Sequence, residues 1–320
     1  MSLLRYVLDV IDLLDRPEVP VEELKGLLER GEGVELELKP VRGGKGETLF
    51  VKFTVRGTEP RGRRINVIGR LGGIGARPVQ LGLVSDADGA IVALSVAAKL
   101  AAMAEAGDRL PDDVVVTTHL ATRAPVKPYK PAPMMESPVD IFELLALEVD
   151  EEATAVVSID ATKANLVVKH TGFAITPTVK EGWILKVSSD LIDIYTRVTG
   201  EPPVVVPITM QDILPFSTPV YHINSIVQPW IYTSAPVVGV AITARTVVPG
   251  SATGATNAWA LEQAARFVLE VVKEYTMGRI ELYDREEWET IMKIHGPLRH
   301  IMSRGAPARK QALQRRTLNA

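Results

Sequence analysis

Hydrophobic positions along this chain recur with two periods, which divide it into predicted helices and strands. Helical spacing predicts helices at Leu3–Leu14 and Val21–Leu28, with two prolines between them. Apolar and charged residues then alternate through residues 34–40, and apolar residues recur at every second position of residues 48–57, after a glycine-rich turn. A period of two is typical of strands with one face in water, so this segment is predicted to be a β-hairpin.

The remainder of the chain alternates β-branched, apolar runs with helical segments. Five runs are predicted to be strands, at residues 65–68, 114–120, 154–159, 204–208 and 237–243. Helical spacing indicates helices at residues 91–103, 140–147 and 190–199, and a long helix after residue 257. Strands that alternate with helices are the pattern of an α/β fold.

Residues 81–103 contain a predicted strand end, a turn and a helix in direct succession. An apolar strand end passes through an acidic turn, with Asp86 and Asp88, into a buried helix. In open α/β sheets, ligands bind beyond the carboxyl ends of the strands, so both carboxylates lie where chemistry is expected. Aspartate also caps helix N-termini, and either residue alone could serve only as a cap.

Polar side chains at other predicted strand ends extend this candidate site. His119 lies at the end of one strand, Asp160 directly follows another, and His222 lies in a later loop. Carboxylate oxygen with imidazole nitrogen is the ligand mixture of zinc, manganese, cobalt or non-haem iron sites. Such a metal ion lowers the pKa of its bound water and polarises a carbonyl group, as amide hydrolysis requires. The alternative for His119 is a core histidine that is hydrogen-bonded to the backbone.

Two glycine-rich segments have both a binding and a structural interpretation. Residues 69–75 follow a strand, as a dinucleotide loop would, but Pro78 and no helix comes next, which favours a tight turn. Residues 250–254 precede the last long helix and offer free N–H groups to an anion. The alternative there is a flexible turn with Thr256 or Asn257 as the helix cap.

Composition limits the chemistry and the partners of this chain. With 320 residues, 46% hydrophobic and 23% charged, it resembles an ordinary soluble α/β protein, and its lack of cysteine excludes disulfides and thiolate metal sites. The formal charge of −3 does not indicate the basic surface with which proteins bind nucleic acid. No apolar run reaches the roughly 20 residues of a membrane span. We therefore predict a cytoplasmic protein with a small-molecule or peptide substrate, and neither nucleic acid nor a membrane as partner.

Two further segments favour self-association. The loop at residues 124–138 contains five prolines and is longer than a routine connection, which indicates a lid, a wall or an oligomer contact. Residues 296–320 form a basic tail after a predicted single α/β domain at residues 1–295, which carries the N-terminal helix and hairpin as an extension. Because the loop and the tail need a surface to pack on, a homo-oligomer is the expected state.

Several phrases of the sequence resemble known families. VSDADGAIVALSVAAKL, DVVVTTHL and VVSIDATKANLV are similar to the core of the co-catalytic dizinc aminopeptidases of the glutamyl and leucyl type. More closely, nearly the whole chain resembles the bacterial domain-of-unknown-function family 1177, through GRLGGIGARP, SDADGA, TTHLATRAP, SIDATKAN, GFAITPTVKEG, YHINSIVQP, PVVGVAI and PGSATGA. The nearer resemblance implies no established activity.

The aminopeptidase resemblance implies a fold and roles for particular residues. The fold would be a three-layer αβα sandwich with a mixed, mostly parallel sheet of the aminopeptidase (phosphorylase/hydrolase) type. Asp86 or Asp88 would bridge two metal ions, Asp160 would be a terminal ligand, and His119 would stand where the family has glutamates. The sequence departs from the pattern at residues 68–72 and 231–234, which lack the expected histidines, and no paired glutamate adjoins His119. These departures argue against a full dinuclear peptidase site and leave a one-metal site, or a site that binds an amino acid without cleaving it.

Together these observations predict a metal-dependent hydrolase that acts on a small amide, peptide or amino-acid derivative. The predicted cofactor is a divalent metal ion, with zinc as the first choice, and its predicted ligands are Asp86, Asp88, His119, Asp160 and His222. The candidates for substrate contact or proton transfer are Lys163, His170 and Glu181. Two alternatives stay open: a non-catalytic aminopeptidase-like protein that binds an amino acid or peptide, and a metal-free isomerase or lyase that uses Lys163 and His170.

Overall fold

A computed structural model describes residues 2–70, 72–130 and 132–306 of the chain. The described helices are α1 (Leu3–Leu14), α2 (Val21–Leu28), α3 (Asp88–Glu105), α4 (Ile141–Glu148), α5 (Ser189–Thr199), α6 (Ala258–Thr276), α7 (Arg285–Ile294) and α8 (Arg299–Met302). The described strands are β1 (Val34–Gly43), β2 (Gly46–Val55), β3 (Ile65–Gly69), β4 (Val114–Leu120), β5 (Val126–Lys127), β6 (Met134–Met135), β7 (Ala155–Ala161), β8 (Gly172–Ile175), β9 (Val179–Lys180), β10 (Trp183–Ile184) and β11 (Val237–Thr243).

A mixed sheet organises the described part of the chain. Its strand order is β1-β2-β4-β3-β7-β11-β9-β10, with β8 also paired to β11. The four central strands, β4, β3, β7 and β11, run parallel, and the predicted β1–β2 hairpin joins them antiparallel along β4. These strands are four of the five predicted β-branched runs, and almost every residue in them is buried. The predicted α/β class with a mixed, mostly parallel sheet is confirmed.

Helical and loop segments cover both faces of the sheet. Helices α1, α3 and α6 pack on one face, and α4 packs on the other beside the turn Gln228–Tyr232. Residues 85–105, which include α3, form the one described helix that is long and apolar enough to cross a membrane, and 89% of its apolar 18-residue stretch is buried inside the protein. Its apolar surface is therefore accounted for by packing between the sheet and its neighbouring helices.

Glycine allows α3 to begin directly against the ends of two strands. A Cβ atom at Gly89 would lie 2.6 Å from the carbonyl oxygen of Ile159 and 3.0 Å from the backbone nitrogen of Arg70. A larger residue would push the helix away from β3 and β7. This contact brings the acidic turn before α3 to the carboxyl ends of both strands.

Some predicted elements differ from the structure. Residues 204–208 do not form a strand: Val205 makes one bridge to Ile175, because prolines on either side remove backbone donors. The start of the predicted tail packs on its own chain, with Nη1 of Arg299 2.9 Å from the carbonyl oxygen of Ile231. The remainder of that tail, residues 307–320, lies outside the described residues.

Candidate functional site

A pocket of about 300 Å³ opens at the carboxyl ends of the parallel strands. Its walls come from the turn before α3, the segment after β7, the proline-rich loop and the loop at residues 209–227. Its polar side chains include Ser85, Asp86, Asp160, Lys163, His222 and Asn224. Its apolar and aromatic side chains include Tyr129, Met134, Met135, Phe216 and Tyr221. The pocket is thus polar on the sheet side, largely apolar along the proline-rich loop, and mixed along the loop at residues 209–227.

Asp86 is positioned by the glycine-rich turn that precedes α6. The backbone nitrogen of Asp86 donates to the carbonyl oxygen of Gly250 at 3.0 Å, and that of Ser85 donates to Ala252 at 2.8 Å. The Asp86 carboxyl lies so close to Gly250 that a Cβ atom there would be 2.6 Å from its Cγ. Burial raises the pKa of Asp86 to about 7, and the charge of Asp88 adds to the shift while Lys163 opposes it.

Asp88 forms a buried ion pair with Lys163. The Nζ atom of Lys163 lies 2.5 Å from Oδ2 of Asp88 and donates to the carbonyl oxygen of Ala255 at 3.2 Å. Burial raises the pKa of Asp88 to about 6, against the opposing charge of Lys163. No side chain caps the start of α3, so the cap-only interpretation of Asp86 and Asp88 is wrong.

Asp160 lies beside a buried arginine that sequence reasoning missed. Oδ1 of Asp160 is buried and has no hydrogen-bond partner among the described residues. Burial raises the pKa of Asp160 to about 8, opposed by Arg70 and reinforced by the charges of Asp86 and Glu148. Arg70 directly follows the buried strand β3. A charged residue at the end of a buried strand is the feature of the sequence that could have identified it as part of the site.

His119 lies behind the pocket and not in it. Its Nδ1 atom is 2.6 Å from Oε1 of Glu148, and both side chains are fully buried. Nη1 of Arg70 lies 4.0 Å from the second oxygen, Oε2, of Glu148. The structure therefore agrees better with a core histidine than with a metal ligand. The partner of His119 is a carboxylate on α4, however, and not the backbone. Glu148 ends a strongly apolar helix, which was a weak signal of its burial.

His222 lies in the loop at residues 209–227, which Asp212 organises. Asp212 is fully buried and accepts hydrogen bonds from the backbone nitrogens of Thr209, Ile223 and Asn224, at 2.6, 2.5 and 3.0 Å. His222 lines the pocket, and its Nδ1 atom is buried without a hydrogen-bond partner among the described residues. The two backbone hydrogen bonds that follow it hold its position.

The predicted five-residue metal site does not assemble. The described residues contain no group of three or more His, Asp or Glu side chains that could hold a metal ion. Asp86, Asp160 and His222 do line one pocket, but Asp88 pairs with Lys163 and His119 pairs with Glu148. Partners within the chain thus use two of the five predicted ligands.

Of the three predicted substrate-contact residues, the structure places only Lys163 in the pocket wall. His170 lies beside Gly172, and Nε of Arg299 lies 2.8 Å from Oε2 of Glu181. Neither His170 nor Glu181 lines the pocket. The three residues follow one another within 20 positions, but the chain leaves the pocket after Asn165, and β8 and β9 separate Glu181 from it.

The proline-rich loop forms one wall of the pocket, which was one of its three predicted roles. Tyr129, Pro133 and Met134 line the pocket, and Pro131 lies outside the described residues. Glu136 ties the loop to the tip of the β1–β2 hairpin, with Oε2 2.9 Å from Nζ of Lys45. Hydrogen bonds from lysines lower the pKa of Glu136, which favours the ionised form of this link.

Comparisons with known proteins agree with this architecture. The sequence model of a family described as "Protein of unknown function (DUF1177)" matches residues 39–305. No curated protein matches the sequence. Among solved structures, the bottromycin maturation enzyme BotP in complex with Mn is 12% identical with a TM-score of 0.51, and the match covers 83% of this chain and 70% of that one.

Two leucine aminopeptidases are similar in the same way. A mutant of the tomato enzyme is 11% identical with a TM-score of 0.51, over 83% of this chain and 61% of that one. The Caenorhabditis elegans enzyme is 11% identical with a TM-score of 0.52, over 85% of this chain and 65% of that one. The chain thus spans less than two thirds of either leucine aminopeptidase. At these identities the matches show a shared aminopeptidase fold.

Proposed function

This chain belongs to the DUF1177 family, and from its fold and its pocket we propose that it is a divalent-metal-dependent hydrolase. The substrate would be a small amide, peptide or amino-acid derivative, bound in the pocket between Asp160 and the aromatic loops. The fold supports this proposal because BotP, whose fold is similar, forms a complex with manganese.

The balance of buried charge is the observation that carries the proposal. Four carboxylates, of Asp86, Asp88, Glu148 and Asp160, belong to one electrostatic cluster with two cations, of Arg70 and Lys163. When all four carboxylates are ionised, they exceed the two cations by two charges, which is the charge that one divalent cation would balance. Uncompensated buried charge is costly, and the raised pKa values of the three aspartates reflect that cost.

The donor set fits a hard metal ion better than zinc. Asp86 and Asp160 are the carboxylates that would hold the ion, since Lys163 already pairs with Asp88. Magnesium is commonly bound through one or two carboxylates, with water and substrate as the other ligands, and carboxylate and water also suit manganese. Zinc sites usually have at least three protein ligands, which the described residues do not bring together. A bound ion would polarise the substrate carbonyl and activate water.

The residues of the chain would bind and orient the substrate. Lys163 is held between Asp88 and the backbone of Ala255, and its ammonium group can stabilise negative charge that develops on a carbonyl oxygen. Tyr129, Phe216 and Tyr221 offer apolar surface to the rest of the substrate and displace water from it.

Metal binding and hydrolysis test the proposal separately. Chelator-treated protein would be dialysed against Mn²⁺, Mg²⁺ and Zn²⁺, and bound metal would be measured together with hydrolysis of aminoacyl amides and dipeptides. We expect one equivalent of Mn²⁺, metal-dependent turnover, and loss of both in Asp160→Asn. The control Asp193→Asn removes an exposed carboxylate on α5 and should change neither. Less than about a tenth of an equivalent of any metal would contradict the proposed site.

A second candidate is a non-catalytic protein that binds an amino acid or peptide in this pocket. The observation in its favour is that the described residues offer no three-ligand metal site. The ammonium group of the ligand would then compensate Asp86 and Asp160 in place of a metal ion. This candidate predicts that an amino-acid amide raises the melting temperature of chelator-treated protein without turnover. The alternative of a metal-free isomerase or lyase is weakened, because His170, one of its two proposed catalytic residues, does not line the pocket.

We also propose that the protein acts in the cytoplasm as a homo-oligomer, without nucleic-acid or membrane partners. Large apolar side chains that are more than half exposed, among them Val79, Leu81 and Trp259, support an interface. Light scattering of the purified full chain would test the oligomeric state, and a monomer at micromolar concentration would contradict it.

A further inference from the structure

We infer that His222, predicted from the sequence as a metal ligand, is instead the proton-transfer residue of the pocket. The inference rests on the proposed hydrolase function and names one of its catalytic groups. His222 is the one histidine among the described residues that lines the pocket. Imidazole can accept and return a proton near neutral pH, which suits it to general acid–base catalysis.

Buried hydrogen bonds hold the backbone of the loop that carries His222. Asp212, which is fully buried, accepts the backbone N–H groups of Ile223 and Asn224, the two residues after His222. Gln228 adds a hydrogen bond from Nε2 to the carbonyl oxygen of Leu214, at 2.6 Å. A catalytic group must be held within a fraction of an ångström to be effective, and these contacts supply that support.

Phe216 supports the imidazole from within the same loop. Its ring lies nearly parallel to that of His222, at 16° with centroids 6.2 Å apart. The guanidinium carbon of the buried Arg70 lies 6.0 Å from the centre of the Phe216 ring. Nδ1 of His222 is buried, and no hydrogen bond among the described residues engages that nitrogen.

The other ionisable groups of the cluster are already committed. In the proposed function Asp86 and Asp160 hold the cation, and the ammonium group of Lys163 is held by Asp88. His119 is fully buried and paired with Glu148, and it does not line the pocket. His222 has no such ion pair among the described residues, and it lines the pocket from the loop at residues 209–227, where it can reach a bound substrate.

The proton transfers balance in two steps. The oxygen of water forms a bond to the carbonyl carbon of the amide, and one proton of that water passes to His222. The carbon–nitrogen bond then breaks as His222 returns the proton to the leaving nitrogen. The products are a carboxylic acid, which releases its proton to solvent, and an amine.

The test compares His222→Ala with the wild-type chain, both loaded with Mn²⁺. We expect kcat to fall by about 100-fold or more with KM changed less than about threefold, because general acid–base catalysis contributes about 10² to 10⁴ in rate. Added imidazole should restore kcat at least tenfold in the variant and leave the wild type unchanged. His300→Ala, which removes an exposed histidine on α8, is the matched control and should keep full activity.

Mn²⁺ affinity separates this role from that of a metal ligand. His222→Ala should bind Mn²⁺ as the wild type does, and a loss of affinity above tenfold would overturn the inference. A kcat within threefold of the wild type, or a fall in kcat that imidazole does not restore, would also overturn it and leave the hydrolase proposal standing. If the wild type hydrolyses none of the aminoacyl amides and dipeptides, both the hydrolase proposal and this inference are contradicted. His222→Asn, of similar size, repeats the comparison should the alanine variant fail to fold.

Discussion

Nζ of Lys163 lies 2.5 Å from Oδ2 of Asp88, and both side chains are almost completely buried. The pair joins the segment after β7 to the first residue of α3, close in sequence to Asp160 and Asp86, the acidic side chains of the pocket. Its attraction repays the desolvation of both charges only while both partners are present.

Lys163→Met should therefore destabilise the protein by about 3–5 kcal/mol, because it leaves the Asp88 carboxylate buried and unpaired. Urea denaturation followed by circular dichroism measures the effect. Lys186→Met is the control, since Lys186 pairs with Glu287 on the exposed surface and should cost less than about 1 kcal/mol. Equal losses in the two variants would contradict a buried pair, and Lys163→Met with Asp88→Asn should recover part of the stability.

Metal-free protein should lose stability as the pH rises from about 4 to about 8. Burial raises the pKa values of Asp88, Asp86 and Asp160 to about 6, 7 and 8, above that of an unfolded aspartate near 3.9. Between those limits the folded state binds more protons than the unfolded chain, so the free energy of unfolding falls with increasing pH. Their contribution is complete below about pH 4 and is lost progressively up to about pH 8.

Chemical denaturation at a series of pH values measures this dependence. Asp160→Asn should reduce the slope most in the upper part of the range, because Asp160 has the highest of the three pKa values. A free energy of unfolding that rises between pH 5 and pH 8 in both proteins would argue against the burial of these carboxyls.

Mn²⁺ should reverse the loss at pH 8. A cation that binds only the folded state at 100 times its Kd stabilises it by about 2.7 kcal/mol. The melting temperature with and without Mn²⁺ would be compared in the wild type and in Asp160→Asn, where the gain should disappear. Equal gains in both proteins would place the ion elsewhere.

Gly250→Ala should weaken metal binding with little loss of fold. Its added Cβ atom would lie 2.6 Å from Cγ of Asp86, so the carboxyl must move away from its position at the pocket. We expect Mn²⁺ affinity to fall by about tenfold or more, the range that displaced supporting contacts produce at metal sites. Equilibrium dialysis would measure it, with Gly26→Ala in α2 as a control that meets no neighbouring atom. Unchanged Mn²⁺ affinity in Gly250→Ala would exclude Asp86 as a ligand.

Asp212→Ala should loosen the loop that carries Phe216 and His222. Three backbone N–H groups lose their acceptor, and a buried donor left without a partner costs about 1–3 kcal/mol. Hydrogen exchange of residues 216–224 should accelerate while that of α6 stays slow. Asp193→Ala on the exposed face of α5 is the control. Unchanged exchange would mean that the loop is held by other contacts.

Sequence patterns predicted the elements of the fold well because each depends on neighbouring residues. The β-branched runs became the four central parallel strands, and helical spacing located α1, α2, α5 and α6 within a few residues. The same reasoning found Asp160 and Lys163 at the pocket, since residues at the ends of parallel strands meet at one edge of a sheet, and Asp86 and His222 also line it. The strand predicted at residues 204–208 failed because its prolines outweigh its valines.

The partners of the buried charged side chains could not be predicted from the sequence. Glu148 meets His119 from 29 positions away, and Arg70 reaches Glu148 from 78 positions away, through packing of α4 on the far face of the sheet. No local period or spacing encodes such contacts. They turned two predicted metal ligands, Asp88 and His119, into members of internal pairs.

By itself, then, the sequence determined the alternation of strands and helices and the edge of the sheet at which acidic residues collect, because hydrophobic period and strand direction are local properties. The tertiary structure alone decided which of those residues face the pocket and which are neutralised within the protein. That choice depends on the desolvation of each charge and on the partner that packing brings to it from a distant part of the chain.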